Sequence, residues 1–263
     1  MSYVDLRSLY RRADLSERLR RLPELFGTRP NTSARPVVYA AADGLYAGTF
    51  ADDLIASVLS TSPGCDVHLH LMNPGDYDPQ KALGRFPADR VSWSSEIIGP
   101  CDKTLYSTRR FVRLAEFLAH ADRHFVAVDI DAVFKADISA SWANVPSFDA
   151  IIYRAGNEIA AHQAINAGFV AVAPTINGKE FINFLAAYIL HFEDIGASQW
   201  FVDQLGLLSA DTWFRNNVPG SRIETAPARV MDWKGHPSPD ALIWHYKGAQ
   251  KNGVPTRVGT PGL

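Results

Sequence analysis

The chain has 263 residues, 47% of them hydrophobic and 21% charged, with a formal net charge of −2. This composition excludes collagen, coiled coil and intrinsic disorder, and a near-neutral chain lacks the basic field of a general nucleic-acid binder, so no nucleic-acid partner is expected. Two cysteines, Cys65 and Cys101, are too few for a disulfide framework or a four-thiolate zinc site, and are expected to be small core residues in a reducing compartment.

The first thirty residues hold seven arginines against four acids, a net of +3 that leaves about −5 on the remainder. Leu6, Leu9, Leu15, Leu19, Leu22 and Leu25 recur at near-helical spacing. Residues 1–34 are therefore expected to form a basic helical arm, packed on a body of residues 35–263 and offering peripheral contact with an anionic membrane face. The opening has no apolar h-region, and no apolar run approaches the roughly 18 residues of a membrane span, so a cytoplasmic protein is expected.

From residue 36 strands and helices alternate. Residues 36–41 read as a buried strand ending at the turn pair Asp43-Gly44, followed by a helix over 47–61. A second strand covers 66–72 and breaks at Asn73-Pro74-Gly75, and a third covers 90–94. A helix over 106–120 carries Phe111, Leu114, Ala115 and Leu118 on one face. The strand 124–128 ends in Asp129-Ile130-Asp131. Strands at 148–153 and 168–173, helices at 178–192 and 199–208, and short strand-like pieces at 229–232 and 241–246 complete the chain. This alternation predicts an α/β fold, a mainly parallel sheet flanked by helices. Ligands bind such sheets at the carboxyl ends of the strands, where Asp43, Asp129 and Asp131 are expected to meet.

The strongest local signal is the buried run Phe125–Val128 delivering Asp129 and Asp131. In extended backbone, residues two apart point the same way, and two like charges that close need a cation between them. Oxygen ligands favour Mg²⁺ or Mn²⁺, ions that also carry substrate phosphates. A solvated Asp-x-Asp turn is the structural alternative. Two metal-dependent chemistries compete. In haloacid dehalogenase-like phosphatases the first Asp is the nucleophile, but those proteins usually place it near the N-terminus of the core, with a closely spaced acidic pair downstream. In nucleotide-sugar glycosyltransferases the two carboxylates hold a metal on the donor diphosphate. The C-terminal His245-x-x-Gly248-x-x-Lys251 suits the second chemistry. Imidazole can complete a Mn²⁺ site, Gly248 permits close backbone approach to phosphates, and Lys251 or Lys247 can neutralise them.

The order of these motifs resembles glycosyltransferase family 8, retaining enzymes with a GT-A fold. Ala41-Ala42-Asp43-Gly44-Leu45-Tyr46 is similar to that family's nucleotide-binding opening. Phe111-Val112-Arg113-Leu114 resembles its aromatic-x-Arg-Leu helix, and Asp129-Ile130-Asp131 its metal motif. Asn166-Ala167-Gly168-Phe169 and Asp203-Gln204 resemble two later segments, and His245, Gly248 and Lys251 its last motif. The resemblance spans roughly residues 36–251. Leu45, Leu205 and Asn252-Gly253 depart from it, at positions that bear on the donor more than on the fold.

The resemblance implies a GT-A-like domain that moves a sugar from a UDP-sugar to an acceptor hydroxyl with retention, using Mn²⁺ or Mg²⁺. Asp129, Asp131 and His245 would be the metal ligands. Asp43 and Tyr46 would meet the nucleotide base. Arg113, Ile130, Gly248 and Lys251 would also contact the donor. Asn166 would hydrogen-bond the sugar or acceptor region, Asp203 would bind sugar hydroxyls, and the Gln204 amide oxygen would lie beneath the anomeric carbon. The acceptor would be a glycan, a lipid-linked molecule or a protein. Outside these motifs, 106–110 is polar and basic and reads as a solvated helix start, with contact to donor phosphates or acceptor as the alternative. Trp200, Trp213, Trp233 and Trp244 gather in the last third, where aromatic faces suit sugar rings although most tryptophans are core.

Overall fold

The computed structural model describes residues 12–30, 33–99, 103–138, 147–155, 160–232, 238–246 and 251. A short helix, α1 (Arg12–Arg20), precedes strand β1 (Phe26–Gly27). Then follow β2 (Val37–Asp43), α2 (Gly44–Thr61), β3 (Asp66–Met72), α3 (Pro79–Leu83), β4 (Val91–Glu96), α4 (Lys103–Ala119), β5 (Phe125–Val128), β6 (Ala132–Phe134) and β7 (Ala150–Arg154). The chain ends through β8 (Ile165–Val172), α5 (Ile176–Asp194), α6 (Val202–Asn217), β9 (Ile223–Thr225), β10 (Met231–Asp232) and β11 (Ile243–His245). Among the described residues no helix is long and apolar enough to cross a membrane.

Eight strands form one sheet in the order β1-β4-β3-β2-β5-β8-β7-β9. The block β4-β3-β2-β5 is parallel throughout, while β8 runs antiparallel to both β5 and β7. The parallel strands are apolar on both faces because both are covered. Val38, Ala40, Leu69 and Val126 face a core shared with α2, whereas Val37, Tyr39, Phe125 and Ala127 face α4, α5 and α6. The connection order reverses between β2 and β5, since β3 and β4 lie on one side of β2 and β5 on the other. That reversal opens a crevice at the strand carboxyl ends. A second small sheet, β10-β11-β6, roofs this side of the molecule.

The turn from β2 into α2 needs glycine. A Cβ on Gly44 would stand 1.9 Å from the Pro74 carbonyl oxygen in the turn after β3. Of the N-terminal segment, residues 12–30 pack on the body, while Leu6 and Leu9 lie outside the described residues. Leu15 is buried, and Leu19, Leu22 and Leu25 pack on the core. β1 adds to the sheet edge by pairing Phe26 with Ser95 and Gly27 with Ser94, and Arg18 pairs with Asp194.

Beneath α4 runs a buried polar ladder. β3 presents His68 and His70, and β4 presents Ser92, Ser94 and Glu96. His70 Nε2 lies 3.1 Å from Glu96 Oε1 and its Nδ1 lies 3.0 Å from the Ser94 hydroxyl. His68 bridges Ser94 and Ser92 at 2.9 Å each. Burial lowers the pKa of both imidazoles. A neutral His70 that donates to Glu96 accepts from Ser94, and this orders the remaining donors along the ladder. Arg113 closes the far end, donating to Glu96 and, at 2.6 Å each, to Glu116 and the Pro23 carbonyl. Burial alone would raise Glu96, but hydrogen bonds from His70 and Arg113 and the charge of Arg113 outweigh it and hold the carboxyl at about 2.

Two predictions follow from this packing. Gly44→Ala is expected to lower stability by about 2–3 kcal/mol, read by urea denaturation, because a backbone carbonyl cannot give way as a side chain does. Because the Glu96 pKa is depressed on folding, its stabilisation is intact at neutral pH and is lost as pH falls from about 4.5 to about 2. Glu96→Gln should therefore be less stable than wild type at pH 7 by about 3 kcal/mol, with a flatter stability profile through that acid window.

Candidate active site

β2 and β5 lie side by side and parallel, so the residues that follow them share one rim. The cleft there is lined by Ala41, Asp43, Tyr46, Arg110, Asp129, Ile130 and Asp131, with Lys103, Tyr106, Ser107, Trp200 and Lys251 around them. Asp43 caps α2, its carboxylate accepting from the Tyr46 amide at 2.7 Å. Tyr46 begins an aromatic run through Phe50 to Tyr246, and the Lys251 ammonium stands 5.3 Å from the Tyr46 ring centroid.

Asp129 and Asp131 do converge, by a different route from strand alternation. β5 ends at Val128, and the chain turns at once, with the Ala132 amide donating to the Asp129 carbonyl at 3.1 Å. The turn feeds β6, a three-residue strand that the sequence reading did not resolve. β6 pairs antiparallel with β11, and the register sets His245 opposite Ala132. The Tyr246 amide donates to the Asp131 carbonyl at 3.2 Å. This ladder brings an imidazole more than a hundred residues away onto the carboxylates. His245 Nδ1 is 3.5 Å from Asp131 Oδ1 and 4.0 Å from Asp129 Oδ2.

Ligand atoms of Asp129, Asp131 and His245 all lie within 4.8 Å of one another. His245 is fully buried, yet among the described residues neither ring nitrogen has a hydrogen-bond partner, and Asp131 Oδ1 is likewise buried and unbonded there. Buried polar atoms are rarely left so. Three convergent donors, two of them the unbonded His245 and Asp131 Oδ1, fit a divalent cation, and two oxygens plus one nitrogen suit a borderline ion. Lys251 pairs with the other oxygen of Asp131. Burial would lower the Lys251 pKa, but Asp131 holds it above its ordinary value.

On the other flank Arg110 organises the site. The 106–110 segment is not a solvated helix start, since Thr108, Arg109 and Arg110 are buried. Arg110 pairs with Asp129, donates to the Ala167 carbonyl at 2.9 Å, and stands 3.6 Å from Asp203 Oδ2. It lies four residues before Leu114 and seven before Phe117, on the apolar stripe of α4. A cation placed there needs a buried acid, and that signal was present in the sequence. Arg113, the arginine singled out from the motif, is not among the cleft-lining residues. Three residues further along α4 it is engaged by Glu96, Glu116 and Pro23.

Asp203 sits in the first turn of α6, and burial raises its pKa against the opposing charge of Arg110. The Gln204 amide faces the carbonyls of His162 and Ile165, donating to them at 3.1 and 2.6 Å with its nitrogen turned inward. Asn166 Oδ1 accepts from the Gly168 amide at 2.8 Å. A Cβ on Gly168 would stand 2.9 Å from Asp129 Oδ2 and 3.0 Å from Asn166 Oδ1, so glycine leaves room for both. Gly248 and Lys247 lie outside the described residues, as do Cys101 and Trp233.

The comparisons agree with this architecture. Residues 91–209 match the family model for nucleotide-diphospho-sugar transferases. A search of curated protein sequences gives no match. The fold is similar to the crystal structure of the galactosyltransferase LgtC in complex with donor and acceptor sugar analogs. The TM-score is 0.53 and identity 13%, with 81% of this chain and 87% of that chain covered. The dehalogenase-like reading of the Asp-x-Asp strand is set aside by this fold. The chain thus has a GT-A-like α/β fold, and its residues 91–209 match the nucleotide-diphospho-sugar transferase family model.

Proposed function

We propose that the protein transfers a sugar from a UDP-sugar to a hydroxyl of a glycan-type acceptor, with retention, using Mn²⁺ held by Asp129, Asp131 and His245. The observation that carries this reading is the set of three convergent ligand groups at the β2/β5 switch point, with the His245 nitrogens and Asp131 Oδ1 buried and without a hydrogen bond among the described residues. Asp43 and Tyr46, at the start of α2, are the groups for the base. Lys251 and Arg110 are the cations for diphosphate charge, Arg110 standing where the motif reading set Arg113. A bound divalent cation supplies Lewis-acid stabilisation of the departing diphosphate.

The leaving group is already a good one, so the protein's work is positioning and charge compensation. Gln204 is neutral and Asp203 is buried against Arg110, so neither is arranged as a free carboxylate nucleophile. This supports a front-face path. The acceptor oxygen bonds to the anomeric carbon as the bond from that carbon to the diphosphate oxygen breaks, and the acceptor proton passes to that oxygen. Asn166 on β8 and Asp203 and Gln204 on α6 are assigned to the sugar in the same proposal, on the Arg110 flank and behind the residues that line the cleft. The division into a basic segment 1–34 and a catalytic body 35–263 belongs to the same proposal. In that segment Arg20, Arg21 and Arg29 are exposed, with Arg21 paired to Glu17 and Arg29 standing 3.5 Å from Glu116.

Asp129→Asn and Asp131→Asn are each expected to abolish Mn²⁺-dependent UDP binding, measured by titration calorimetry, and transfer with it. Tight metal-independent binding by the double variant would contradict the reading. Gly168→Ala is expected to weaken Mn²⁺ binding about tenfold, measured by electron paramagnetic resonance of free Mn²⁺, by displacing Asp129. Its melting temperature should fall far less than that of Gly44→Ala.

A further inference from the structure

Among the described residues only two phenylalanine, tyrosine or tryptophan side chains are more than half exposed, Phe26 at the sheet edge and Trp200. Trp200 is 55% exposed and lines the cleft mouth. It is braced from behind. Its indole meets Phe201 edge-on, with centroids 5.7 Å apart, and Phe201 packs against His162 at 4.8 Å. Phe201 holds a left-handed backbone (φ 74°), and the Val202 amide donates to the Gln199 carbonyl at 3.0 Å, closing the turn that carries the indole. Three residues on, Asp203 reaches Arg110.

The position within the site identifies the kind of ligand. Strand order places β5 and its carboxylates in the middle, with β2, α2 and Tyr46 on one side. β8 lies on the other side, packed by the α6 helix that Trp200 precedes. Tyr46 and its neighbour Lys251 mark the nucleotide side. Trp200 precedes the helix packed on β8, on the other side of β5 from β2 and Tyr46, so within the same cleft it belongs to the side away from the nucleotide. An indole face carries negative charge density and attracts the positively polarised C–H face of a pyranose ring. An amphipathic ring held rigid at the mouth of a polar cleft gives contact area without losing side-chain freedom on binding.

We infer that Trp200 is the platform on which a sugar ring of the acceptor stacks, making the acceptor a glycan rather than a bare alcohol or a peptide hydroxyl. This deepens the proposed function and rests on it. The test uses the full chain saturated with UDP and Mn²⁺ on an array of immobilised glycans, with UDP affinity measured separately by calorimetry. Wild type should bind a set of glycans, Trp200→Ala should lose at least tenfold in signal, and Trp200→Tyr should regain most of it. UDP affinity should stay within twofold for both variants. Wild type that binds UDP but no glycan would overturn the inference, as would Trp200→Ala binding glycans like wild type. A tenfold loss of UDP affinity in Trp200→Ala would put the indole on the nucleotide instead. Wild type that fails to bind UDP would overturn the donor assignment itself, and the acceptor platform with it.

Discussion

The architecture is governed by one electrostatic problem: three carboxylates, Asp129, Asp131 and Asp203, gathered at the edge of a covered sheet. Two of the three are almost wholly buried, so solvent does little to screen their repulsion. The protein supplies two fixed cations. Arg110 stands between Asp129 and Asp203, and Lys251 pairs with Asp131. Among the described residues one side of the cluster has no hydrogen-bonded partner, where His245 and Asp131 face each other at 3.5 Å. On the proposed function, Asp129, Asp131 and His245 would hold a divalent cation on that side, and Lys251 would stand ready for the charge of a diphosphate.

Much of the surrounding structure serves to hold that cluster in place. The β2/β5 crossover sets the rim, and the short β6–β11 ladder imports His245. Gly168 leaves room for the Asp129 oxygen, and Gly44 lets the α2 turn seat against the β3 turn. The Ser-His-Ser-His-Glu-Arg ladder under α4 works at greater distance. It fixes β3 and β4 to the helix that presents Arg110, and through the Pro23 carbonyl it fastens the N-terminal segment to the same framework. A buried network of this kind contributes uniqueness of packing only while every member is satisfied.

The parallel strands were legible because burial on both faces writes them as continuous apolar runs, as in Val37–Ala41 and Phe125–Val128. β6 and β9 were not resolved as strands, since three residues carry too little pattern to separate strand from turn. α6 begins later than expected because Phe201 adopts the left-handed region, and runs on past Leu208 because Ala210 and Phe214 continue its buried face. At the site, the candidate metal ligands are readable as acids behind an apolar run and a distant histidine. The exchange of Arg113 for Arg110 is not, since both lie on the broad buried face of α4. Which one reaches the rim depends on where Glu96 and Glu116 stand, and that is a tertiary fact.

The central claim is that metal and donor complete one charge-balanced site, and ligand-dependent melting of the unmodified protein tests it most directly. Across a panel of nucleoside diphosphate sugars, the account predicts stabilisation by a UDP-sugar only when Mn²⁺ is present. At about a hundredfold excess over Kd the rise should be roughly 5–10 °C. Equal stabilisation in the presence of a chelator, or none with any donor and metal together, would contradict it.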